Sequence, residues 1–211
     1  GSTQMSIHNL EGVKMAAAMG LSRVVLAREL SRSEISYICK NSPIEIEVFA
    51  HGALCMCYSG QCYMSSVIGR RSGNRGLCAQ PCRLRYETGA HGNDYPLSLK
   101  DNCLVRHLSE LEDMGVACIK IEGRMRRPEY SAIVTGIYSR AVREKSMPKA
   151  EELRQLRAAF SRQGFTDGYF TGHLGKDMFG IRTEEDKDSQ SALFSAARKG
   201  YLNGEFQRVP V

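Results

Sequence analysis

The fold turns on the run IEIEVF at residues 44–49. Ile44, Ile46 and Val48 alternate with Glu45 and Glu47, the period of a strand with one covered face, so the two carboxylates share the other face. The chain then changes character. Residues 47–83, EVFAHGALCMCYSGQCYMSSVIGRRSGNRGLCAQPCR, hold Cys55, Cys57, Cys62, Cys78 and Cys82, five of the eight cysteines. Glycine recurs between them, so this stretch is expected as loop and short helix, with its thiols paired, metal-bound or catalytic.

On the N-terminal side of that strand, Asn9 is placed to cap a helix reaching Met19 and closed by Gly20. Residues 23–27 read as a short buried strand. Ser31 and Glu34 have the spacing of a capping box, opening a helix with Ile35, Ile38 and Cys39 on one side. On the C-terminal side, the expectation is a strand at residues 84–88, a break at 89–93 and a short strand at 96–99. A helix with Leu104, Leu108 and Leu111 on its apolar face should stop at Gly115. Residues 116–121 form a further strand that ends in Glu122-Gly123-Arg124. Pro128 suits the first turn of a long helix carrying Tyr130, Val134, Ile137 and Tyr138. A shorter helix follows at 150–160. Residues 164–172 look too glycine-rich for regular structure, and the polar run 183–188 is expected to be mobile.

Strands alternating with helices imply βαβ units and a parallel sheet. Four or five strands are too few to close an eight-stranded barrel. The expected architecture is therefore α/β, the later part of a TIM-like (β/α) barrel with a cysteine-rich metal-binding insertion, its polar strand ends forming the working face. Residues 1–180 are expected as one domain, with 181–211 a polar linker and C-terminal tail.

Composition narrows the class. The chain has 211 residues, of which 42% are apolar, ordinary for a globular protein. No apolar run approaches the length of a membrane span. Gly1-Ser2-Thr3-Gln4 lacks the basic and apolar regions of a signal peptide and resembles a cloning scar, so an excised piece of a longer protein is expected. Without a secretory signal, eight cysteines fit a reducing cytoplasm better than a disulfide scaffold. The net charge of +6 is concentrated in arginine clusters. Arg70, Arg71, Arg75, Arg83 and Arg85 crowd the cysteine segment; Arg124, Arg126 and Arg127 form a second group. Their planar forks favour phosphate or carboxylate ligands.

Six residues separate Cys55 from Cys62, fifteen separate Cys62 from Cys78, and three separate Cys78 from Cys82. Zinc sites of the structural kind come as two close pairs, and only Cys78-x3-Cys82 is one. Long glycine-rich loops suit an iron–sulfur cluster, whose sulfurs accept bonds from nearby backbone amides. Iron–sulfur, zinc and unligated thiols all remain open on spacing. Cys57 reads as a spare beside the other four, with replacement of Cys55 as the alternative, and Cys39, Cys103 and Cys118 read as small buried hydrophobes. No H-E-x-x-H or G-x-S-x-G motif is present, and no histidine has a recognised relation to a cysteine. Glu47, His51, Lys120, Glu122 and Arg124 lie in or at the ends of strands and are the candidate catalytic groups. Arg70, Arg71, Arg75 and Arg83 are the candidate substrate-binding groups.

Several stretches together resemble the U32 family, long labelled collagenase-like peptidases. They are EVFAHGALC (47–55), YSGQCYMS (58–65), GRRSGNRGLCAQPCR (69–83), SLKD (98–101), KIEGRM (120–125), PEY (128–130) and GFTDGY (164–169). The resemblance spans about residues 3–180 and implies a TIM-like barrel whose first strands precede Gln4. It implies a 4Fe-4S cluster held by Cys55, Cys62, Cys78 and Cys82, with Zn2+ in the same cysteines as the alternative. Family members act in oxygen-independent hydroxylation of transfer RNA, ribosomal RNA or ubiquinone precursors, with prephenate as the implicated oxygen donor. Some of the ubiquinone branch lack a cysteine matching Cys82; this sequence has it, in the close Cys-x3-Cys of the RNA-modifying branch. The implied partners are thus RNA (tRNA or rRNA) and prephenate, with no membrane, and a homo- or hetero-oligomer with another U32 protein. Two other readings stand beside RNA hydroxylation: the peptidase of the family label, and a zinc-binding scaffold without catalysis.

Overall fold

A computed structural model describes residues 1–87 and 95–202. Its sheet is organised on β2 (Glu45–Ala53), which begins on the IEIEVF run. β1 (Arg23–Val25) pairs parallel with the start of β2, Val25 facing Glu47, and β4 (Cys118–Ile121) pairs parallel along the opposite edge, Cys118 facing the same Glu47. β3 (Asp101–Cys103) takes up the edge that β1 leaves free, but runs antiparallel, with Cys103 facing His51 and Asp101 facing Ala53. β5 (Phe165–Thr166) adds parallel to β3. The expected all-parallel sheet is therefore corrected to a mixed one, and among the described residues it is open, not closed.

The helices follow local signals. In α1 (Leu10–Ala18) the Asn9 side chain accepts from Gly12 N at 2.8 Å, and Gly20 closes the end in the left-handed region at φ 84°. In α2 (Arg32–Asn41) the Glu34 carboxylate accepts from Ser31 N at 2.8 Å, and its bonds to Ser31 hold it below the usual carboxylate range. α3 (Met64–Gly69) lies within the cysteine segment, and α4 (Leu108–Asp113) follows a 3-10 turn over Val105–His107. Pro128 opens α5 (Pro128–Arg143), and α6 (Ala150–Ala159) comes next.

One core gathers these elements. Val24 and Leu26, Ile46, Val48 and Ala50, Ile35 and Ile38, Leu111, Val134 and Tyr138, and Leu156 are all buried in it. From Val48 to Gly52 every residue of β2 is buried, so the strand is covered on both faces there and the apolar–acidic alternation of its start ends at Val48.

Four local expectations are corrected. Residues 84–87 form no strand, because Pro81–Arg83 turns in a 3-10 helix and leads out of the sheet. The strand expected at 96–99 is displaced to β3, with Leu99 alone bridging to Phe179. Residues 164–172 are regular after all, forming β5 and α7 (Gly168–Thr171), since Gly164 and Gly172 sit at the ends with positive φ. The run 183–188 enters α8 (Glu184–Leu202): Asp186 accepts from Thr183 N at 2.9 Å, and Phe194 is buried in the main core. The break expected at 89–93 and His91 lie outside the described residues.

Candidate metal centre

Three parallel strands deliver their C-terminal ends to one place. β1 leads to Arg28, β2 to the residues from Ala53 to Cys57, and β4 to Glu122 and the four residues after it; with the cysteine segment they wall a cavity of about 510 Å³. Carboxyl ends of parallel strands are where α/β proteins build sites. The approach of β2 to the end of β4 requires Gly52: its φ is 119°, and a Cβ there would lie 2.8 Å from Cβ of Glu122 and 2.9 Å from its carbonyl oxygen.

Cys55, Cys62, Cys78 and Cys82 all line this cavity, and so does Cys57. Every one is a free thiol. Gln80, held in the left-handed region at φ 56°, turns its N–H toward Cys78 Sγ at 3.3 Å. The buried Ser65 hydroxyl accepts from Ala79 N at 3.0 Å and reaches Cys78 Sγ at 3.8 Å, while Arg28 donates to Cys55 Sγ at 3.5 Å. Donors aimed at sulfur favour thiolate. Burial pushes the Cys82 thiol up; Arg83 opposes that, and Cys55, Cys78 and Cys62 reinforce it, so these sulfurs act on one another. The donor set and its surroundings fit a thiolate-bound metal centre. Among the described residues no three His, Cys, Asp or Glu side chains converge on a single ion; the thiols are spread round the cavity.

The loop is held by polar ties. Glu29 accepts from Ser59 N at 2.9 Å and from its hydroxyl at 3.0 Å, and the same hydroxyl accepts from Arg28 N. Arg83 is a second tie: its guanidinium donates to Leu99 O at 2.5 Å and also to Leu54 O, which fixes the cysteine segment to the end of β2. Its fork is therefore occupied by backbone, although it lines the cavity. Arg70, Arg71 and Arg75 stand outside the cavity and are exposed, Arg71 donating to Leu77 O at 3.1 Å.

The five candidate catalytic groups divide. Lys120, Glu122 and Arg124 line the cavity. Glu122 lies 3.7 Å from Arg28 and accepts from Arg124 N at 2.9 Å. Glu47 points elsewhere, between Lys120 at 3.6 Å and Arg23 at 4.0 Å. His51 is 1% exposed and belongs to the core, ringed by Tyr130, Tyr138 and Phe165. Burial, then the Arg126 charge, lowers its pKa to about 3, so its ring is neutral. Among the described residues no histidine lines the cavity, so none of them stands beside its thiols as an imidazole base.

The structure also brings in Arg28, which no sequence motif marks, and Arg126, which the sequence shows only as a member of the second arginine cluster. Arg28 and Arg126 line the cavity, and Arg126 meets the buried Asp101, whose other partner is Arg162. Arg28 carries no motif; its only sequence signal is its place just past a parallel strand. Among the described lining residues, Arg28, Arg83, Lys120, Arg124 and Arg126 face a single carboxylate, Glu122.

Fold and site define an α/β protein with a mixed sheet and a cation-rich, thiol-lined cavity at its strand ends. The family model "Peptidase family U32" matches residues 1–179. The chain belongs to that family. It is 38% identical over 198 residues to a protein of Porphyromonas gingivalis named collagenase, covering 81% of this chain and 47% of that one. It is 33% identical over 220 residues to tRNA hydroxylation protein P1 of Bacillus subtilis, covering 90% and 52%. A 23S rRNA 5-hydroxycytidine synthase of Escherichia coli is 42% identical over 143 residues, covering 65% and 22%. The chain thus spans about half the length, or less, of these relatives. No solved structure matches it significantly. Among the described residues no helix is long and apolar enough to cross a membrane.

Proposed function

We propose that this chain is part of an enzyme for oxygen-independent hydroxylation of a base in tRNA or rRNA, with a 4Fe-4S cluster held by Cys55, Cys62, Cys78 and Cys82. The observation that carries the reading is the convergence of these four free thiols on one cavity at the ends of β1, β2 and β4. The spacing supports a polynuclear cluster over zinc: only Cys78-x3-Cys82 is a close pair of the structural-zinc kind, and long glycine-rich loops join the others. When bound, such a cluster supplies one-electron chemistry. Cys57 is the spare. The names of two relatives, which refer to tRNA hydroxylation and to hydroxycytidine in rRNA, support RNA as the substrate.

The chain's own groups have distinct work in this reading. Lys120, Arg124 and Arg126 attract an anionic co-substrate, prephenate being the one we propose, to the cavity beside the thiols. Glu122, steadied by Arg28 and the Arg124 amide, is the group placed to accept or return a proton there. The exposed Arg70, Arg71 and Arg75 take the RNA backbone. The open sheet is the later part of a (β/α) barrel, completed by chain that the longer relatives possess, and assembly with itself or another U32 protein belongs to the same proposal. The cytoplasm is where such thiols stay reduced.

The collagenase name of one relative favours a second reading, proteolysis. The test is metal and sulfide content, with a visible spectrum, of anaerobically purified full chain. The expected result is iron and sulfide at about four each, lost in Cys55→Ala and Cys78→Ala and retained in Cys57→Ala. One zinc and no sulfide, with cleavage of denatured collagen, would overturn it in favour of a hydrolase.

A further inference from the structure

Positive charge gathers behind the cavity wall. The Phe160 ring, itself buried, carries three guanidinium groups: Arg126 at 3.3 Å from its centroid, Arg182 at 4.6 Å and Arg162 at 4.9 Å. Among the described residues one carboxylate touches this group. Asp101, fully buried, lies 3.4 Å from Arg126 and in closer contact with Arg162. Arg182 donates to Gln190 at 2.7 Å, and its Nε is buried with no hydrogen-bond partner. Other acids act from further off and have partners of their own: Asp186 on Arg182 while bound to Thr183 and Ser161, Glu184 on Arg182 while paired with Lys187, and Glu122 on Arg126 while held by Arg28 and the Arg124 amide.

Three cations against one anion, in a place where the Arg162 side chain is 6% and the Arg126 side chain 16% exposed, is an unbalanced arrangement. Buried charge is stable only when paired. Arginine cannot relieve the imbalance by losing its proton, as a lysine would. Burial, then the Arg83 charge, lowers the Arg162 pKa to about 9, with Cys82 opposing; that is still above neutral, so the guanidinium keeps its charge.

We infer that Arg126, Arg162 and Arg182 on Phe160 form a recessed seat for a small free dianion, carboxylate or phosphate in its chemistry, entered from the thiol-lined cavity through Arg126. The depth selects the ligand. A nucleic-acid backbone can reach the exposed Arg70, Arg71 and Arg75, but not a guanidinium 6% exposed. Asp101 fixes the edges of Arg126 and Arg162, leaving Arg126 and the unpartnered Nε of Arg182 to the anion. In the reading above this seat takes the anionic co-substrate, and to that extent the inference rests on it; the imbalance of charge stands without it.

Malonate and inorganic phosphate are the probes, titrated calorimetrically into the full chain at constant ionic strength, with chloride as the control. Saturable malonate binding is expected, weakened at least tenfold in Arg126→Gln and in Arg182→Gln and unchanged in Arg75→Gln. Phosphate binding with the same losses would support the seat equally. No saturable binding, or equal losses in all three variants, would overturn the inference. So would displacement of malonate by a twelve-nucleotide oligouridine, which would give the seat to a polymer phosphate. If circular dichroism shows Arg126→Gln unfolded, Arg182→Gln decides alone. Iron and sulfide content, measured on the same samples, reports separately on the thiol reading.

Discussion

Replacing His51 by Phe should remove a large acid sensitivity from the fold while leaving the thiol cavity intact. Tyr138 gives its one hydroxyl proton to Ala50 O at 2.9 Å, so toward His51 Nδ1, 3.2 Å away, it can only accept. That makes Nδ1 the protonated nitrogen and leaves Nε2 a bare lone pair, buried without a partner. A second proton on the ring would create an unpaired buried cation near Arg126. The folded pKa, about 3, is below the unfolded value of about 6.5, so between them the unfolded state binds the extra proton. Stability from this residue is therefore complete above about pH 6.5 and falls as the pH drops toward 3. The slope is about 1.4 kcal/mol per pH unit, which accumulates to roughly 3 kcal/mol between pH 6.5 and 4.5. Urea unfolding of wild type and His51→Phe across that interval isolates it, because the carboxylates common to both cancel in the difference. Parallel profiles would mean that the ring titrates normally and reaches water. A base working in the site would instead show as lost turnover at neutral pH without the change in acid stability.

Asp101→Asn should destabilise by about 3–5 kcal/mol in urea, since it leaves Arg126 and Arg162 buried without their shared anion; a loss under 1 kcal/mol would mean that the two guanidiniums find other partners. Gly52→Ala should cost roughly 1–3 kcal/mol for its backbone angle alone, with more from the clash at Glu122, and the same denaturation series reads it; a neutral result would place β2 and β4 further apart than they stand here. Asn9→Ala should cost about 1 kcal/mol, the worth of the side-chain bond to Gly12 N, and no change in midpoint would remove the cap from the account of α1.

What could be read in the sequence was what local chemistry dictates. Caps at Asn9 and Ser31, the stop at Gly115 and the start at Pro128 all place helices where they lie, because each signal acts within a turn or two of chain. The errors came where a distant partner decides. β3 was misplaced by several residues because its register depends on the edge of β2 beyond β1, which no residue at 96–103 encodes. Residues 183–188 looked like linker because their polar faces are local while the apolar anchor, Phe194, arrives two turns later and finds its place on α5 and α6.

The site divides along the same line. The cysteine segment stands out in the sequence because thiols in a glycine-rich loop have few other uses, and the structure puts Cys55, Cys62, Cys78 and Cys82, together with Cys57, on one cavity. The charges do not stand out, because arginine is read by type and acts by depth. Arg83 and Arg126 look alike in sequence, each in an arginine-rich motif. One spends its fork on the carbonyls of Leu54 and Leu99 and so holds the cysteine segment to the sheet. The other lies on Phe160 with its edge toward the cavity. Only the antiparallel return of β3 explains the difference. It carries Asp101 to the end of β2, and that one carboxylate draws Arg126 and Arg162 inward from opposite parts of the chain. The strand that breaks the expected parallel pattern is thus the strand that sets the electrostatics of the cavity, and Asp101→Asn tests both at once.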